Sequence, residues 1–329
     1  MAKVLVTGAN GFLGSWLTRR LVEMGHETFA LVRPTSDISE LSGVNCGYRH
    51  GDVTDIESLK THFNDIDTVF HLAGVVEYKR SKRALMEKVN VQGTENVVEA
   101  CKEKKVRKLV HLSSVVAVGA GFHAGQILNE DSSFNIHHLD LGYFETKHDA
   151  EKIVIEACET KEIDAVILNP ATIYGPGDAK KGSRKMQIKV AKGSLKFYTP
   201  GGVNVVSVHD VVDGIIGAWQ KGRTGERYIL SGENLKIKDV FRIIAEENNQ
   251  TPPSICLPRW FLFLVGHIGD LMEKFGLKGS LSVENAWTST LYHWFDSSKA
   301  QKEIGFKPRP AREALRESVT WMKENGILN

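Results

Sequence analysis

A doubly wound α/β parallel sheet with a smaller, discontinuous C-terminal lobe is the fold that three features of the sequence predict. The N-terminus runs from a short apolar stretch through three evenly spaced glycines into an amphipathic segment. The first half then alternates short apolar runs with helix-length segments, which calls for parallel strands covered on both faces. Beyond Pro170 the alternation weakens and the chain becomes mainly helical.

Val4-Leu5-Val6 reads as a buried strand that enters Thr7-Gly8, with Gly11 and Gly14 following. From Phe12 the pattern turns helical, because Leu13, Trp16, Leu17 and Leu21 share one face and Gly25 stops the run. A strand, a glycine turn and a helix present bare backbone N–H groups and a helix N-terminus to a pyrophosphate, so this stretch predicts dinucleotide binding. Strands are expected at Thr28–Val32, Asn45–His50, Thr68–Leu72, Lys108–Ser113 and Ala165–Leu168. Helices are expected at Ile56–Phe63, Ser81–Lys104 and Tyr143–Thr160. Val203–Val208 and Arg227–Leu230 read as strands that return to this unit. The reading assigns residues 1–170, with returning strands at about 203–235, to a Rossmann-type nucleotide domain. A substrate lobe takes 171–204 and 236–329.

The apolar share of 42% and charged share of 25% fit a folded globular chain, and a net charge of +2 argues against a nucleic-acid binder. Cys46, Cys101, Cys158 and Cys256 lie far apart without a C-x-x-C, so neither a disulfide framework nor a zinc site is expected. No H-E-x-x-H spacing suggests a metal. With a strand starting at Lys3 and no apolar run of the ~20 residues a span needs, the expectation is a cytoplasmic protein without membrane insertion. Trp260–Met272 comes nearest to such a run, broken by His267 and Asp270.

Val32-Arg33 closes the second strand, where an acid would bond an unphosphorylated ribose. Arg33 instead offers a cationic fork to a 2′-phosphate, which predicts NADP(H) over NAD(H), with Asp37 nearby as a complication. Tyr143 and Lys147 stand four apart on one helix face. A neighbouring ammonium, and the positive nicotinamide in the oxidised complex, favour the phenolate and are expected to lower the phenol's pKa, making Tyr143 a usable proton donor or acceptor. Tyr78-Lys79-Arg80-Ser81-Lys82 offers a competing Y-x-x-x-K. The basic segment Lys180–Lys196 is expected to be a solvated face, and His71 a packed, satisfied side chain.

TGANGFLG resembles the T-G-x-x-G-F-x-G turn of the extended short-chain dehydrogenase/reductases. Gly51-Asp52-Val53, His71-Leu72-Ala73-Gly74 and Asn90-Val91-Gln92-Gly93-Thr94 match further motifs of that family in order. The resemblance implies that Thr7, Gly8, Asn10, Gly11, Phe12, Leu13 and Gly14 hold the pyrophosphate, and that Asp52 and Val53 meet the adenine. It implies that Leu72, Ala73 and Gly74 line the ribose and phosphates, and that Asn90 is structural. Asn169, Pro170 and Ile173, in NPATIYGP, match the turn that carries the nicotinamide. The family's catalytic tyrosine follows the serine that ends the fifth strand. Ser114 precedes Tyr143 by 29 residues, which selects Ser114, Tyr143 and Lys147 over the Tyr78 match. Tyr78 is then expected to face solvent or lie near the substrate.

LVRPTS, NPATIYGPGD and VVSVHDVVDG resemble the dihydroflavonol-4-reductase-like and 3β-hydroxysteroid dehydrogenase-like branch, and also the hopanoid-associated sugar epimerases. The resemblance implies an NADPH-dependent reductase of a ketone or aldehyde. Its alternatives are a nucleotide-sugar epimerase or dehydratase and a cofactor-binding protein without turnover. Sugar-nucleotide members carry an arginine where this chain reads Gly201-Gly202-Val203-Asn204, which favours the reductase. Relatives pair through the helices matching Ser81–Lys104 and Tyr143–Thr160, so a homodimer is expected.

Overall fold

A computed structural model describes residues 1–180, 184–277 and 281–328. The nucleotide half is built from β1 (Lys3–Thr7), α1 (Phe12–Glu23), β2 (Glu27–Val32), β3 (Gly47–His50), α2 (Ile56–His62) and β4 (Thr68–His71). It continues with α3 (Arg83–Met86), α4 (Gly93–Glu103), β5 (Lys108–Leu112), α5 (Gly142–Glu159) and β6 (Ala165–Pro170). Next come β7 (Thr172–Tyr174), α6 (Lys185–Ala191), β8 (Phe197–Tyr198), β9 (Gly202–Ser207), α7 (Val208–Lys221) and β10 (Arg227–Leu230). The remainder comprises β11 (Glu233–Lys236), α8 (Ile237–Glu247), β12 (Ile255–Cys256), α9 (Arg259–Lys274) and α10 (Val283–Thr288). It ends with β13 (Tyr292–His293), α11 (Ser298–Ile304) and α12 (Ala311–Glu324).

Seven strands form one parallel sheet in the order β10-β6-β5-β4-β1-β2-β3. The period-two pattern of each strand divides the core between its faces. Val4 and Val6 of β1 join Leu13, Leu17 and Leu21 of α1 and Val211 and Ile215 of α7 on one side. Leu5 joins Leu59 of α2, Val97 of α4 and Val154 of α5 on the other. The sheet order reverses at β1, and ligands of open α/β sheets bind beyond the strand C-termini at such a switch point.

A second sheet takes β11, β9 and β13, with β7 also paired to β9. This corrects the expectation for Val203–Val208. That strand belongs to the second sheet, and only Arg227–Leu230 returns to the first, beside β6. The physical cause is at Ala171: the chain leaves β6 at Pro170 and re-pairs at once as β7, whose Thr172–Tyr174 align with Val205–Ser207. An apolar pattern marks such a strand as buried without naming its sheet.

The expected Ser81–Lys104 helix is one helical run with a wide π turn over Glu87–Gln92 between α3 and α4. The turn sets Asn90 toward the loop after β4, where its amide accepts from Val75 N (2.8 Å) and donates to Val75 O (3.0 Å). Asn90 is therefore a brace, as the motif implied.

Candidate active site

The glycine turn needs glycine for close approach. Gly8 has φ +68°, and a Cβ there would lie 2.8 Å from Ala73 N. A Cβ on Gly14 would lie 2.1 Å from Gly8 O, so any side chain would push α1 off the turn. Gly11 caps α1 with no side-chain hydrogen bond, which leaves the first N–H groups of the helix to an incoming anion. A cradle that a Cβ would fill, at an uncapped helix N-terminus, fits a dinucleotide pyrophosphate.

The neighbouring residues divide into lining and bracing groups. Gly8, Asn10, Gly11 and Phe12 are part-exposed in the cleft, whereas Leu13 is buried in the core and offers only backbone. Thr7 is a brace: its hydroxyl accepts from Ala73 N (3.1 Å) and meets His71 Nδ1 (2.8 Å). His71 completes its pair with Thr94 (3.1 Å) and is held neutral by burial, with a pKa pulled down to about 3. It is packed and satisfied, as its place at the strand end predicted. Leu72, Ala73 and Gly74 form the partly open turn above Lys147, and a Cβ on Gly74 would stand 3.5 Å from Lys147 Nζ.

Just beyond β3, Asp52 receives Thr54 N (2.9 Å) and Thr54 Oγ1 (3.0 Å) through one carboxylate oxygen, and Val53 is buried against Gly93. Arg33 is exposed at the end of β2, and among the described residues its guanidinium has no partner. Asp37, the complicating acid, is turned to Ser39, receiving its N–H (2.9 Å) and its hydroxyl (3.0 Å).

Ser114, Tyr143 and Lys147 meet beyond the C-terminal end of β5. Ser114 caps the short turn Val115–Ala117, with its hydroxyl 3.4 Å from Val116 N. Tyr143 and Lys147 lie on the buried face of α5. Burial pushes Tyr143 up to about 12, and the Ser114 hydroxyl opposes that shift. This corrects the expected lowering by Lys147. The ammonium donates to Leu112 O (3.0 Å), and desolvation of the phenol dominates. Burial also pulls Lys147 down to about 8, against the pull of Glu151.

Four residues at the site had no assigned role in the sequence, which placed Tyr78 only as facing solvent or near the substrate. Tyr78 is packed edge to face on Tyr143, with centroids 5.9 Å apart, so the competing motif supplies a wall of the same site. Arg184, counted among solvated cations, is buried. It donates to Ile173 O, stacks 4.1 Å over Tyr174 and lies 3.6 Å from Asp178. Glu284, brought in by α10, is buried beside Gly142 and pushed up to about 7 by desolvation.

The fourth is Glu151, one turn beyond Lys147 on the buried face of α5 and fully buried. It pairs with Arg227 of β10 and accepts from Asn169 Nδ2 (2.8 Å), which also donates to Ser114 O (2.9 Å). Asn169 is thus buried behind the serine, as a brace. Pro170 ends β6, and Ile173 stands on β7 beside Arg184. The spacing Lys147–Glu151 carried a signal, since an acid four residues on shares the lysine's face.

Strand-end glycine cradle, open phosphate turn and Ser–Tyr–Lys cluster define a dinucleotide-dependent enzyme acting on CH–OH or carbonyl groups. The chain belongs to the NAD dependent epimerase/dehydratase family, which it matches over residues 4–231. It is 28% identical to a Synechocystis protein named "Putative dihydroflavonol 4-reductase", over 98% of this chain and 95% of that one. The solved structure of gox2253 is 34% identical, covers both chains fully and superposes with a TM-score of 0.88. A nucleoside-diphosphate-sugar epimerase from Pseudomonas aeruginosa shares the fold at 23% identity, with a TM-score of 0.78 over 100% of this chain and 99% of that one. The chain is accordingly an NAD(P)-dependent extended short-chain dehydrogenase/reductase. Among the described residues no helix is long and apolar enough to cross a membrane, and no cluster could hold a metal ion.

Proposed function

We propose that this enzyme reduces a ketone or aldehyde to an alcohol with NADPH. The observation that carries the reading is a phenol held protonated at Tyr143 against the Ser114 hydroxyl, among apolar and aromatic side chains. Val116, Leu291, Tyr78, Phe122 and Trp287 belong to the cluster around it. When bound, the nicotinamide supplies the hydride. The glycine cradle would hold its pyrophosphate, Gly74 and Lys147 would flank the nicotinamide ribose, and Ile173 would lie along the ring. Ser114 hydrogen-bonds the substrate oxygen, and Tyr143 delivers its proton there as negative charge develops. Lys147, kept charged below pH ~8, stabilises the phenolate that remains.

The place of a diphosphate-gripping cation supports the reductase reading over the epimerase. Gly202 is packed under Trp294, and Asn204 is buried with Gly232 and Asn234. No cation occupies Gly201–Asn204. The name of the Synechocystis relative points the same way. Residues 171–204 and 236–329 would form the substrate lobe, and the outer faces of α4 and α5 a homodimer seam. Loss of NADPH absorbance with a panel of ketones and aldehydes is the expected result. Interconversion of sugar nucleotides on unconsumed cofactor would select the epimerase instead.

NADP(H) preference follows from the exposed Arg33 guanidinium, which has no partner among the described residues. Arg33→Ala should weaken NADPH by one charge-assisted contact, about 10- to 150-fold, and NADH far less. Titrating both cofactors by fluorescence checks this, and equal losses for the two would remove Arg33 from the 2′-phosphate.

A further inference from the structure

We propose that α9 docks the protein onto the surface of an anionic lipid bilayer. The helix is held to the protein by one narrow side. Leu262, Gly266 and Gly269 are its buried residues, and a Cβ on Gly269 would lie 1.8 Å from Leu281 O. The opposite side is apolar and uncovered: Trp260 is 68% exposed, Leu264 49%, Ile268 50%, Leu271 55% and Phe275 75%. These positions recur every three or four residues and so form one stripe along the helix. Leu277 extends the stripe past the helix end, and Ile255 and Phe197, exposed on the paired strands β12 and β8, lie just before its start.

The charges around the stripe select the occupant. Lys274 is exposed at one end, and Arg259, whose guanidinium lies 6.0 Å over the Trp287 ring, is exposed at the other. Both acids of α9 are engaged on the protein side: Asp270 receives Val283 N (3.3 Å), and Glu273 receives the Ser81 hydroxyl and lies 3.9 Å from Lys79. A second copy laid on this face, parallel or antiparallel, would bring cationic ends together with no free acid of α9 to meet them. A bilayer accepts the apolar stripe among its acyl chains and the two cations among its phosphates, with Trp260 and Phe275 at headgroup level. The stripe lies in the plane of the surface and does not span it.

Docking here would also orient the active site. Phe263, on the inner side of α9, packs edge to face on Trp287 (4.7 Å), which joins the cluster around Tyr143. Ser282, between α9 and α10, donates to Tyr78 O (2.6 Å). The docking face thus sits directly outside the wall of the site, whichever reaction is catalysed there.

Flotation of the full chain with vesicles tests the proposal. The vesicles are phosphatidylcholine alone or with one quarter phosphatidylglycerol, at low and high salt. Wild type should float with the anionic vesicles about tenfold more than with the neutral ones, and high salt should weaken this. Leu264→Ser/Leu271→Ser should abolish flotation, and Arg259→Gln/Lys274→Gln should remove the preference for anionic lipid. NADPH binding of each variant reports that it is folded. Absence of wild-type flotation with either vesicle, or undiminished flotation of folded Leu264→Ser/Leu271→Ser, would overturn the proposal. So would a lipid-independent self-association, seen by light scattering, that this double substitution removes.

Discussion

Tyr143→Phe should lower kcat by about 10²–10⁴ while NADPH affinity and folding stay near wild type. The substitution removes only the hydroxyl that donates the proton, the usual scale of a lost general acid. The ring keeps its contacts with Phe144 and Tyr78. Lys147→Met should harm both kcat and cofactor affinity, since Lys147 lies beneath the Gly74 turn and shares the buried face of α5 with Tyr143. Tyr78→Phe is the informative control. Its ring walls the site, so the loss should appear mainly in KM. In the free enzyme, kcat/KM for reduction should fall above pH ~8. The Lys147 ammonium, depressed by burial, loses its proton there well before Tyr143 at about 12. Steady-state kinetics with cofactor titration measure all of these. A Tyr143→Phe enzyme within threefold of wild-type kcat, beside an inactive Tyr78→Phe, would transfer the proton-donor role to Tyr78.

Glu151→Ala should destabilise the fold by about 3–5 kcal/mol, the scale for removing one partner of a buried ion pair. Arg227, with 18% of its side chain exposed, would lose its carboxylate, and Asn169 would lose one of its two acceptors. Because Asn169 also fixes the Ser114 carbonyl, the serine should become less well held, and kcat of the folded fraction should drop. Glu151→Gln keeps the shape and an acceptor for Asn169, so it should lose less on both counts. Urea unfolding followed by fluorescence measures the first effect, and kinetics at low temperature the second. A change below about 1 kcal/mol in Glu151→Ala would show that the pair is relaxed by solvent.

The nucleotide half of this enzyme was legible in its sequence because its signals are local. A strand–glycine–helix turn depends on neighbours within a dozen residues, so Gly8, Gly11 and Gly14 and the alternation of elements specify the cradle by themselves. Arg33 could be located for the same reason, being the residue that follows β2. Ser114, Tyr143 and Lys147 required order along the chain as well as spacing, since Tyr78–Lys82 satisfies the spacing equally.

Tertiary structure alone decided the rest. Val203–Val208 is apolar enough for either sheet, and only the sharp exit at Ala171, which re-pairs the chain as β7, put β9 into the second one. Desolvation depends on what surrounds a group in space. In the protein without cofactor, the pairing argument therefore gave the wrong direction for Tyr143, which burial raises, and the basic composition of 180–196 gave the wrong surface for Arg184, which Tyr174 and Ile173 enclose. Tyr78 and Glu284 reach the site from segments about 200 residues apart, joined by the Ser282–Tyr78 hydrogen bond. No periodicity encodes such a meeting. The apolar run Trp260–Met272 was visible in the sequence, but which side it exposes was set by Gly266 and Gly269, where the backbone of Leu281 and Ser282 leaves no room for a side chain.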